Sequence, residues 1–96
     1  MFEIGINSMG QVAVSGRLDA AQASRAQEFL DGLKDGCVID MAKLEYISSA
    51  GLGVLLRTHK RLMSSESGLE LINVNNHIAD IFRYSGFDKL FSITTL

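Results

Sequence analysis

The chain has 96 residues, the length of one domain, with 47% hydrophobic and 21% charged residues and a formal net charge of −2. Nine basic residues against eleven acidic ones, with no basic block, argue against a direct nucleic-acid surface, which needs clustered Lys and Arg to displace counterions. A lone cysteine, Cys37, excludes an internal disulfide and suits a reducing compartment; with no signal-peptide pattern and no apolar run near the roughly 18 residues of a bilayer span, the expected location is cytoplasmic, without membrane insertion.

Residues 2–6 alternate, Phe2, Ile4 and Ile6 facing one way, and Val12 and Val14 resume the alternation after the turn signal Asn7-Ser8-Met9-Gly10. This reads as a β-hairpin with one buried face. Asp19, with Gln22 three positions on, has the form of an N-cap and capping box opening a helix over residues 20–33. Its apolar stripe is Ala23, Ala26, Leu30 and Leu33, and Gly36 stops it.

Residues 37–41 are apolar on both faces and predict a central strand covered on both sides; Leu44, Tyr46 and Ile47 are then expected in a loop. A second helix is expected from about residue 50 to residue 65. Leu52, Leu55, Leu56, His59 and Leu62 form its inner side. After Gly68, residues 69–74 predict another strand, and Asn75 or Asn76 can cap a third helix with Ile78, Ile81 and Phe82 inward and Gly86 at its end. Phe87, Leu90, Phe91 and Ile93 are expected to pack the tail on the core. The order β-β-α-β-α-β-α implies right-handed crossovers and an α/β fold, a mixed sheet of four to five strands covered mainly by three or four helices.

Most catalytic constellations are missing: no phosphate loop with Lys, no dinucleotide fingerprint, no metal-ligand cluster. The chain is expected to be no enzyme and to need neither cofactor nor metal. His59 is read as a partly buried, hydrogen-bonded side chain and Cys37 as a buried structural thiol. Arg57, Lys60 and Arg61 form a cationic helix face, read as solvated rather than as a binding patch.

Tyr46-Ile47-Ser48-Ser49-Ala50-Gly51-Leu52-Gly53 stands apart. Two hydroxyls open a helix at the carboxyl edge of the sheet, where open α/β sheets bind ligands and partners. Gly51 and Gly53 leave the first turn nearly bare. A helix start offers free N–H groups and partial positive charge, so a phosphate there is stabilised. Either serine can equally be a plain helix cap, and Asp19 either a cap or a partner contact.

At these residues the sequence resembles the STAS family, named for sulfate transporters and anti-sigma factor antagonists. Gly16-Arg17-Leu18-Asp19 is similar to the family's Gly-x-Leu-Asp, and Val38-Ile39-Asp40-Met41 to its central strand. Residues 46–56, YISSAGLGVLL, resemble the phosphoacceptor segment, commonly Asp-Ser-Ser/Thr-Gly-Leu, and Asp88-Lys89-Leu90-Phe91 the family's ending. The resemblance spans essentially the whole chain and implies a single STAS domain of the anti-anti-sigma type.

In the regulatory members the modified residue lies two before the Gly, which maps to Ser49; Ser48 replaces the usual Asp and is the alternative acceptor. The implied mechanism is partner switching. Unmodified protein binds an anti-sigma factor serine kinase and frees a sigma factor, phosphorylation stops the binding, and a serine phosphatase resets it. Asp19, Ser48, Gly51, Gly53, Val54 and Arg57 are the expected partner-binding residues, with Leu52, Leu55 and Leu56 left to the core. The family also implies an alternative, a constitutive adaptor subunit of a membrane-transport ATPase.

Overall fold

In a computed structural model, which describes residues 1–64 and 67–96, Asn7 shapes the first turn. Its Oδ1 accepts the N–H groups of Met9 and Gln11 at 2.9 and 3.0 Å, and Gly10 takes φ +78°. The hairpin pairs β1 (Phe2–Ile6) antiparallel with β2 (Val12–Leu18). There follow α1 (Ala23–Asp31), β3 (Cys37–Ile47), α2 (Ser49–Met63), β4 (Leu69–Val74), α3 (Asn76–Ser85), a 3-10 turn (Phe87–Lys89) and β5 (Ser92–Thr95). The five strands lie in sequence order, β2 to β5 mutually parallel. The expected mixed α/β sheet is thus present, with a terminal strand added.

The third strand is longer than its pattern implies. Leu44, Tyr46 and Ile47, expected in a loop, pair with Gly16, Arg17 and Leu18 of β2, and Lys43 with Ser15. The register slips twice, and each slip inserts one extra residue in β3. These bulges break the period-two signal, so the strand is hidden from pattern reading. Its buried residues, Ile39, Met41, Leu44 and Ile47, join Val12, Val14, Leu18, Leu69, Leu71 and Val74 in one core.

Val38 and Asp40, on the opposite face, are only half-buried, which corrects the expectation of a strand covered on both sides. The cause is topological. Three right-handed crossovers advance in one direction across β2, β3, β4 and β5, and so place all three helices on one face.

Helix α1 is shorter than expected. Asp19 Oδ1 accepts the Gln22 N–H at 3.2 Å, but residues 20–22 form a turn and the helix begins at Ala23. Gln22 turns its side-chain oxygen to Arg25 instead of back to Asp19, so no reciprocal box forms. Asn75 is the cap of α3, its Oδ1 accepting from Ile78 N–H at 2.9 Å, and Gly86 ends that helix at φ +79°. In the tail Phe91 is buried against His59, Phe82 and Phe87, whereas Leu90, expected inside, is 48% exposed. The expected end of the second helix, Ser65, lies outside the described residues; the helix closes at Met63 with Ser64 as C-cap.

Candidate functional site

The carboxyl ends of β2 and β3 lie side by side, Leu18 opposite Ile47. The Ser48 N–H donates to Leu18 O at 2.9 Å, which fixes the point where β3 becomes α2. Ser48 is extended (φ −89°, ψ 173°), its Oγ accepts from Gly51 N–H at 3.2 Å, and its carbonyl accepts from Leu52 N–H at 2.9 Å. It is the N-cap of α2. Ser49 occupies the first helical position, exposed, and its hydroxyl has no partner among the described residues. The two serines therefore divide: one oxygen holds the helix start together, the other faces solvent. Lys60 and Arg61 at the far end suit the macrodipole, while the first turn carries no acidic residue and its positive end is left uncompensated.

The two glycines divide in the same way. Gly51 is buried; a β-carbon there would stand 2.8 Å from Leu18 Cγ and Ile47 Cγ1 and 2.9 Å from Leu18 O. It seats the helix on the sheet and is no window for a partner. Gly53 is half-buried, and the side-chain atoms nearest a β-carbon placed there, among the described residues, belong to the Arg57 guanidinium.

Val54, expected on the contact surface, is fully buried. The inward row of α2 is Gly51, Val54, Leu55, Thr58 and Leu62, with Leu52 also buried, and Leu56 is only half-buried. The helix is rotated from the expected orientation because Thr58, a polar residue, lies on the buried row. Its hydroxyl accepts from Gln27 Nε2 of α1 at 3.2 Å, which satisfies it.

Arg57 is exposed, and its Nε donates to Gln27 Oε1 at 3.0 Å. Arg61 reaches across to the end of α1 and the turn after it, Nη2 to Leu30 O at 2.8 Å and Nη1 to Leu33 O at 2.9 Å. Two of the three cations read as a solvated face are thus cross-links between α1 and α2, while Lys60 is exposed. Asp19 is half-buried beside the site, next along the chain from Leu18. Asp40 lies on the open sheet face, accepting from Ala42 N–H at 3.0 Å and Asn73 Nδ2 at 3.1 Å, away from Ser49.

The sequence reading missed Arg17 over the Tyr46 ring, 4.4 Å to the centroid, on the penultimate residues of β2 and β3 before the site. Only the strand register reveals that pair. At the opposite edge of the sheet the half-buried His59 accepts at Nδ1 from Leu69 N–H at 3.0 Å, the partly buried, hydrogen-bonded side chain that was expected. Cys37 is half-buried; burial pushes its thiol up, partly opposed by the charge of Arg61. No helix of the described residues is long and apolar enough to cross a membrane.

Residues 7–94 match the family model described as "Mlab, STAS domain". A Bordetella bronchiseptica protein named "Putative anti-sigma factor antagonist BtrV" is 32% identical over 92 residues, covering 92% of this chain and 79% of the relative. Among solved structures, an anti-sigma factor antagonist from Mycobacterium paratuberculosis superposes with a TM-score of 0.87 at 21% identity, over 100% of this chain and 87% of that one. The Bacillus cell fate determinant SpoIIAA in its phosphorylated form gives 0.68 at 18% identity, over 99% and 92%. At such identities the structural likeness is one of fold.

Proposed function

The chain belongs to the STAS domain family, and from that premise we propose that it is an anti-sigma factor antagonist switched by phosphorylation of Ser49. The unmodified form binds an anti-sigma factor serine kinase and so releases a sigma factor; the kinase modifies Ser49, and a serine phosphatase restores the binding form. It works in the cytoplasm by association alone and turns over no substrate. The observation that carries this reading is the unequal fate of the two hydroxyls. Ser48 Oγ is committed to the Gly51 N–H, while Ser49 Oγ is exposed at the first position of α2.

A phosphoserine there adds about −1.5 to −2 charge at neutral pH. The helix tolerates it, because it sits at the end that favours anions. A partner interface does not, since the charge must be desolvated and repels facing carboxylates. Only about 1.4 kcal/mol of differential binding changes partner affinity tenfold. Asp19, just after β2, and Arg57, two turns along α2, complete the proposed contact surface with Ser48 and Gly53. Gly51 and Val54 support it from beneath.

The test is phosphopeptide mass spectrometry of the protein from its own cells, joined to partner capture with Ser49→Asp and Ser49→Ala. Phosphate on Ser49, loss of the partner with Ser49→Asp and an unchanged helical circular-dichroism signal are expected. Phosphate on Ser48 alone, or a lost helix signal, would defeat the account. The replacement of the family's Asp by Ser48 favours weighing a second reading, a constitutive adaptor for a transport ATPase. Copurification with a transporter and indifference to Ser49→Asp mark that alternative.

A further inference from the structure

Ser49, Gly53 and Arg57 succeed one another at one-turn intervals on the outer flank of α2. Helical side chains lean toward the amino end, and Arg57 does so far enough to lie over Gly53. A β-carbon at position 53 would stand 3.2 Å from its Nη1 and 4.0 Å from its Nη2. The position that would separate this guanidinium from the Ser49 hydroxyl thus has no side chain. Nε of Arg57 is held by Gln27 Oε1, but Nη1 and Nη2 have no hydrogen-bond partner among the described residues. Gln27 does not depend on Arg57, because its Nε2 also donates to Asp31 Oδ1 at 2.9 Å and to Thr58 Oγ1 at 3.2 Å.

We propose that Arg57 is the internal counter-ion of phosphoserine at position 49, reached along the lane that Gly53 leaves open. This rests on Ser49 being the acceptor. The two residues are about 12 Å apart along the helix axis, and the Arg57 side chain already spans one of the two intervening turns. A guanidinium matches phosphate oxygens with paired, charge-assisted hydrogen bonds.

The pairing takes Arg57 from Gln27 and so removes one wall of the groove of about 380 Å³ between α1 and α2, lined by Ala23, Ser24, Gln27, Glu28, Asp31 and Arg57. Glu28 and Asp31 stay in that lining, Asp31 keeping its ion pair with Arg61 at 3.9 Å, so the groove loses a cation and becomes more acidic. Modification is then read by a partner as an altered groove as well as an added charge.

The test installs phosphoserine at position 49 by genetic encoding in the full chain, so it needs no cellular kinase. The phosphorus-31 shift is followed through a pH titration. Pairing favours the dianion, so the phosphate's second ionisation should lie a few tenths of a unit lower than in Arg57→Gln, about a twofold to fivefold change in proton affinity. Gly53→Leu keeps Arg57 but fills the lane, and should raise the titration to the Arg57→Gln level. Gln27→Ala removes the tether and should preserve the lowering. Amide spectra establish that each variant is folded. Identical titrations in the parent and Arg57→Gln would overturn the proposal, as would a lowering that survives Gly53→Leu. A missing phosphopeptide in cells defeats the choice of Ser49 as acceptor and leaves this measurement unaffected.

Discussion

The inner and outer flanks of α2 use the same residue types for opposite ends. Inside, Gly51 is pressed against Leu18 and Ile47 and Thr58 is sealed by Gln27; outside, Gly53 meets the flexible tip of Arg57 and Ser49 is exposed. Residue identity does not decide which glycine or hydroxyl is available to a partner. The helix's rotation on the sheet decides it, through the buried row that Val54, Leu55 and Leu62 complete.

The comparison can be broken in four graded ways, each read as the midpoint of denaturant unfolding. Leu55→Ala leaves a cavity in the inner flank and should cost ~2–5 kcal/mol. Gly51→Ala should cost ~1–3 kcal/mol, because Leu18 O is backbone and cannot yield to the new methyl; a neutral result would show that α2 is free to rise off the sheet. Ser48→Ala should lose about 1 kcal/mol of capping, whereas Ser49→Ala should stay within about 0.5 kcal/mol of the parent; equal losses would erase the division between the two serines. Gly53→Ala reverses the sign and should add about 0.5–1 kcal/mol of helix stability, since its methyl meets only the flexible tip of Arg57.

The hairpin, the three helices and the strand over Leu69–Val74 were legible because their apolar residues recur at clean intervals, and α2 and α3 carry ordinary side-chain caps. The second half of β3 was not, since two bulges shift its phase, and α1 began late because the Asp19 turn satisfied the signals that usually mark a helix start. At the site, the sequence located the helix start and both serines. It misplaced Val54, because Thr58 disguised the inner row, and it gave no sign that Arg57 and Arg61 join α1 to α2.

Helix α1 spans nine residues, has no side-chain cap and no charged residue suited to either end. Such a segment has little helicity as a free peptide. Arg61 grips the Leu30 carbonyl in its last turn and the Leu33 carbonyl just beyond it, so α1 persists only while α2 is in place. Amide exchange in α1 should therefore keep time with opening of the α1–α2 clasp, and neutralising Arg61 should speed it there first, leaving β3 protected. The molecule comes apart from this borrowed helix inward.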